Sequence, residues 1–167
     1  PISVTEGGVY EVTVNNGGCI ATGTVTVTLL EAPVVDELDD VTVCDEYELP
    51  ELEIGDYYTQ ADGAGTMLSA GDIITTTQTI YIFSDNPEAG ECDGQSSFEV
   101  TVVPSPAIDP IDDVISCSDY VLPALTVGDY YTDENGAGDM LSAGDVITTS
   151  QTLYVYAESG TTPNCTS

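Results

Sequence analysis

Thr79-Ile80-Tyr81-Ile82-Phe83 and, after a loop rich in Gly, Asp and Glu, Phe98-Glu99-Val100-Thr101-Val102-Val103 decide the fold. Both runs are β-branched and aromatic. That composition suits a pleated, half-buried surface. Clusters of Gly, Asp and Asn punctuate such runs about every 8–12 residues, as in an all-β sandwich. Apolar residues at helical spacing are missing over any useful window. Pro50 and Pro123 interrupt apolar stretches and predict an edge strand or a bulge there. The expected fold is all-β, a β-sandwich.

The sandwich is repeated. Residues 36–94 align with residues 109–167 at a constant offset of 73 without a gap, and 30 of the 59 positions are identical. Gly55-Asp56-Tyr57-Tyr58-Thr59 returns as Gly128-Asp129-Tyr130-Tyr131-Thr132. Met67-Leu68-Ser69-Ala70-Gly71-Asp72 returns as Met140-Leu141-Ser142-Ala143-Gly144-Asp145. Cys44 and Cys92 fall on Cys117 and Cys165.

The opening residues match the end of a repeat. The same offset carries Cys19 onto Cys92, 24–30 onto 97–103, and Pro33 onto Pro106. Val9–Val14 alternates with period two and runs into Asn15-Asn16-Gly17-Gly18, a hairpin signal. Residues 1–33 therefore read as the closing strands of a preceding module, 34–106 as repeat 1, and 107–167 as repeat 2 with its last strand missing. The chain reads as a piece of a longer protein. The missing strand is expected to follow residue 167, with strand addition from another chain as the alternative. Glu31-Ala32-Pro33 and Pro104-Ser105-Pro106 are short, proline-bearing linkers that favour semi-rigid spacing.

Charge narrows the function. The chain has no Lys, Arg or His and 30 Asp and Glu residues, for a formal net charge of −30. Without a cation it cannot neutralise phosphates, so neither nucleic acid nor an anionic membrane surface is an expected partner. Catalysis that needs His, Lys or Arg is excluded, and so is Lys–Asn isopeptide crosslinking. A hydrophobic fraction of 41% and a mean hydropathy of +0.06 are too apolar for a disordered acidic tail. No run of 18 apolar residues is present, so no membrane insertion is expected, and no signal peptide opens the chain.

Cys44 and Cys92 are separated by 48 positions, as are Cys117 and Cys165. Equal spacing predicts one disulfide inside each repeat, worth roughly 4 kcal/mol in the chain-entropy model. Small sandwiches gain most from such crosslinks, which would place the protein outside the cytosol. Cys19 would pair upstream. Zinc is a poor rival, since Cys-x-x-Cys and His are both absent.

Carboxylates are the remaining candidate chemistry. Asp36, Asp39 and Asp40 recur as Asp109, Asp112 and Asp113 just after each linker. Several oxygen ligands at a junction would suit calcium, against a plain solvated acidic linker. Asp133–Asp139 resembles a calcium loop, but Ala137 stands at its fifth position and a turn is the better reading. A glycosidase-type carboxylate pair copied in every repeat is not expected, so the chain is not read as an enzyme. Of each Tyr-Tyr pair, one ring is expected inward and one outward. Asn164-Cys165-Thr166 fits the N-glycosylation pattern.

Cys44, Leu49-Pro50-Glu51-Leu52, Gly55–Thr59, Gly63-Ala64-Gly65, Leu68–Asp72, Gln78-Thr79, Tyr81 and Cys92 together resemble tandem modules in giant surface proteins of Bacteroidota. Tyr10–Val14, Gly18-Cys19 and Thr24–Val27 look like the end of another immunoglobulin-like module of those proteins. The resemblance implies tandem immunoglobulin-like sandwiches in a gliding-motility adhesin-like filament, exported by type IX secretion to the cell surface. The expected role is structural and adhesive, with neighbouring modules and other copies in a filament as partners. A carbohydrate-binding or hydrolytic module is the alternative.

Overall fold

Gly17 and Gly18 both take positive φ, 60° and 95°, and turn the chain between β1 (Gly8–Asn16) and β2 (Cys19–Val27). The two strands pair antiparallel from Asn16↔Cys19 to Gly8↔Val27, the hairpin that Asn-Asn-Gly-Gly predicts. Val9, Val12, Val14, Ile20 and Val25 are all exposed, so the hairpin has no covered face. The computed structural model describes residues 3–85 and 92–167, and these contain strands and turns but no helix. The all-β class read from the sequence is therefore the observed one.

Repeat 1 holds β3 (Val41–Cys44), β4 (Tyr47–Glu48), β5 (Asp56–Tyr58), β6 (Met67–Leu68), β7 (Ile73–Ile74), β8 (Gln78–Ser84) and β9 (Gly94–Val103). Five form one sheet in the order β3-β9-β8-β5-β6, while β4 pairs with β7. Burial alternates along the middle of β8 and β9. Ile80, Ile82, Phe98 and Val100 are all buried, with Ile80 and Phe98 paired directly. Val35, Leu49, Tyr57 and Ile74 complete this buried cluster, so the β4–β7 pair and the larger sheet share one core. Each such side chain contributes roughly 1.5–3 kcal/mol by leaving water. Pro50 follows β4 and lies outside any strand, and its carbonyl accepts the Tyr57 hydroxyl at 3.1 Å. β3 lies parallel to β9, with Val41 beside Val100 and Cys44 beside Val103.

Repeat 2 reproduces the middle of this pattern. β10 (Tyr120–Val121) pairs with β13 (Val146–Ile147), and β11 (Asp129–Tyr131) lies between β12 (Met140–Leu141) and β14 (Tyr154–Tyr156). These correspond to β4, β7, β5, β6 and part of β8. Residues 114–117, the counterparts of β3, are not in a strand, and Ser167 is the counterpart of the first residue of β9.

The tyrosine pairs divide as expected. Tyr57 and Tyr130 are buried, while Tyr58 and Tyr131 are half-buried, with ring edges against Phe83 and Tyr156 at 6.1 and 5.9 Å. Burial, helped by Tyr47 and Asp36, pushes the Tyr57 phenol up to about 12. A proton held more tightly in the folded state means that stability is intact below about pH 10 and falls as pH rises toward 12. Denaturant midpoints measured across that range should decline in the natural protein. Tyr57→Phe should be less stable at neutral pH, through loss of the bond to Pro50, yet decline less steeply. An unchanged alkaline slope in the variant would assign the effect elsewhere.

Candidate functional site

The repeats meet at Pro104-Ser105-Pro106, and side chains from three segments fix the meeting. The Asp45 amide, just after β3, donates to the Val103 carbonyl at 3.0 Å. Asp45 itself is left-handed, with φ of 59°. Its Oδ1 accepts the Ser105 amide at 2.7 Å and its Oδ2 the Ser105 hydroxyl at 2.6 Å. These two bonds hold the Asp45 carboxyl below the usual carboxylate range. Sequence reasoning missed this clasp, because position 118 in repeat 2 is a serine and the repetition gives no sign of it.

Cys44, the last residue of β3, is bonded to Cys165 of repeat 2, with their Cα atoms 5.5 Å apart. Cys165 is 1% exposed, and its sulfur lies 3.5 Å from the Val103 carbonyl oxygen. The bond therefore crosses from one repeat to the other, which corrects the expected pairing of Cys44 with Cys92 and of Cys117 with Cys165. The reason is strand length. Cys44 sits beside Val103 at the end of β9, whereas Cys92 precedes the start of that ten-residue strand. At about 3.3 Å per residue the two ends are roughly 30 Å apart, far beyond the roughly 7 Å that a disulfide spans.

Cys19, Cys92 and Cys117 are free. Cys92 is half-buried, and its thiol donates to the Leu30 carbonyl at 3.7 Å. The Cys165 sulfur, which carries no hydrogen, lies in the corresponding place beside the Val103 carbonyl one repeat later. Cys117, the counterpart of Cys44, is exposed.

The six junction aspartates do not converge. Asp36 accepts the Glu53 amide at 2.6 Å, and its counterpart Asp109 accepts the Thr126 amide. Asp40 accepts the Glu99 amide at 2.7 Å, while Asp39, Asp112 and Asp113 are exposed. Among the described residues no three acidic, cysteine or histidine side chains stand close enough to hold a metal ion. Asp133–Asp139 is a turn, in which Asn135, Gly136 and Gly138 have positive φ and Ala137 donates to the Glu134 carbonyl at 3.2 Å.

A groove of about 760 Å³ in repeat 2 lies between residues 108–118 and the run from Ile147 to Val155. Its apolar wall follows from the repetition. Ile108, Leu122, Tyr130, Ile147, Leu153 and Val155 line it, and these are the counterparts of Val35, Leu49, Tyr57, Ile74, Ile80 and Ile82. The groove walls are thus the counterparts of core residues of repeat 1. Leu122 and Tyr130 remain buried, but Leu153 and Val155 are half-buried and Ile108, Ile111 and Val114 are exposed. Ile115 is fully exposed. Aligning the repeats was enough to mark these residues, since each falls on a strand or core position of repeat 1.

The chain matches no protein-family model, no curated protein and no solved structure.

Proposed function

We propose that the chain is a structural and adhesive segment of a long extracellular protein built from repeated immunoglobulin-like β-sandwiches. The observation that carries the proposal is the Cys44–Cys165 bond, which joins two consecutive repeats. A bridge inside a repeat would stabilise a bead. A bridge between repeats, beside the Asp45–Ser105 clasp, resists bending of the string, which is what a spacer under load requires. Disulfides persist in oxidising surroundings, in keeping with the cell surface. The resemblance to Bacteroidota adhesin-like modules adds type IX export to the proposal. A charge of −30 keeps such an array soluble and its neighbours apart.

Small-angle scattering of the oxidised and reduced protein tests the load-bearing part. The oxidised form should have the narrower distribution of dimensions, and reduction should broaden it. A glycan array tests the competing role. Selective binding to one sugar class would replace the structural reading with a carbohydrate-binding one.

A further inference from the structure

We propose that the outward sheet face of each repeat docks an arginine-bearing segment of another protein, whose guanidinium groups lie on a tyrosine row and pair with the aspartate beside it. The row crosses three neighbouring strands. Met67 on β6 pairs with Tyr58 on β5, and Tyr58 pairs with Tyr81 on β8. Two positions along, the pair of Asp56 and Phe83 adds a carboxylate and a third ring. The Phe83 ring stands edge-on to Tyr58, 6.1 Å away between ring centres. Repeat 2 builds the same face from Met140, Tyr131 and Tyr154, with Asp129 and Tyr156 beside them.

Alternation along the strands turns this set outward. The residues between them, Tyr57, Leu68, Ile80 and Ile82, belong to the core or pack against it. Tyr58, Tyr81, Tyr131 and Tyr154 are half-buried, and Met67 and Met140 are each 61% exposed.

Two observations give the row a use beyond holding the sheet. The first is that the two copies keep it where the core drifts. Tyr81 stays a tyrosine as Tyr154, while its buried neighbours Ile80 and Ile82 become Leu153 and Val155. Asp56, Tyr58 and Met67 are likewise identical in repeat 2. Surface positions tolerate exchange better than buried ones, so packing alone does not account for this retention.

The second observation is charge. The face of a tyrosine ring attracts cations, and this chain has no Lys, Arg or His to supply one. Asp56 and Asp129 therefore have no cationic side chain of their own chain to pair with. Arginine fits both groups at once, because its planar guanidinium stacks on a ring and offers a fork to a carboxylate. Asp56 and Tyr58 lie two positions apart on one face, roughly 7 Å on extended backbone, within the span of one arginine side chain. Met67, flexible and polarisable, adapts the edge of the row to what covers it. A neutral sugar would stack on the same rings but gain nothing from a net charge of −30, which decides for the cation. The inference gives the adhesive part of the proposed role a partner and rests on that part, whereas the spacer part stands apart from it.

The test titrates the full 167-residue protein with a labelled octapeptide of alternating Arg and Ser. Salt is held at about 0.15 M, where attraction is screened beyond about 8 Å. The natural protein should bind. Tyr58→Phe/Tyr81→Phe/Tyr131→Phe/Tyr154→Phe keeps the ring faces and should change affinity by less than about twofold. The same four changes to Leu should weaken it at least about tenfold, since each exposed cation–π contact is worth about two- to fivefold. Neither set alters the net charge, so attraction to the acidic surface at large cannot produce the difference. If the leucine variant does not fold, the aspartates decide. Asp56→Asn/Asp129→Asn should weaken binding roughly threefold more than Asp39→Asn/Asp112→Asn, which removes two charges from exposed positions off the row. Three results would overturn the proposal: no binding, binding indifferent to these variants, or a neutral oligosaccharide held by the same tyrosines in preference to the peptide. Dimensions unchanged by reduction of Cys44–Cys165 would instead overturn the spacer reading alone.

Discussion

Cys44→Ser will lower the unfolding free energy by about 2–5 kcal/mol, and Cys165→Ser will lower it by the same amount. The residues lie 121 apart in sequence, and closing so long a loop is worth about 5 kcal/mol in the chain-entropy model, an upper figure where the linked repeats are separately folded. Because the two sulfurs act as one bond, the double variant should cost no more than either single one. Cys92→Ser and Cys117→Ser should leave the monomer's stability unchanged. Bridges inside each repeat would give the opposite pattern, with four equivalent losses and additive effects between repeats. Equilibrium unfolding of the five variants, in dilute solution without added oxidant, separates the two arrangements.

Phe98→Ala should cost about 3–5 kcal/mol, at the upper end for a core truncation. Phe98 is 1% exposed and stands edge-on to Tyr47 and Tyr57, each 6.4 Å away between ring centres. Its removal leaves a void in the buried cluster of repeat 1. The repeat provides its own control. Ile80 is 0% exposed, whereas its counterpart Leu153 is half-buried at the wall of the open groove. Ile80→Ala should therefore cost about 2–5 kcal/mol and Leu153→Ala clearly less in the isolated monomer. Equal costs would mean that the groove is closed in solution.

Much of repeat 1 was legible residue by residue. β-Branched and aromatic composition at 79–83 and 98–103 marks strands because such side chains suit a pleated, half-buried surface. Asn15-Asn16-Gly17-Gly18 marks a hairpin because its turn needs positive φ, and the inward and outward rings of Tyr57 and Tyr58 follow from side chains alternating across an extended strand. The acidic cluster misled for a related reason. Asp36, Asp39 and Asp40 are neighbours in sequence, but on extended backbone their carboxylates spread along and across the chain, and two of them are engaged by separate backbone amides.

By itself the sequence determined the all-β class and the repeat of 73, because residue composition and self-similarity are one-dimensional properties. The cysteine partners were decided only by the tertiary structure. In a periodic chain a separation of 48 and one of 121 differ by a single repeat, so equal spacing in two copies fits bridges within repeats and bridges between them alike. What discriminates is the length of β9, which carries Cys92 away from Cys44, and the parallel pairing of β3 with its far end, which brings Cys44 to the next repeat. A spacing rule holds no information about which end of a strand a residue reaches. That depends on the direction in which the strands pair.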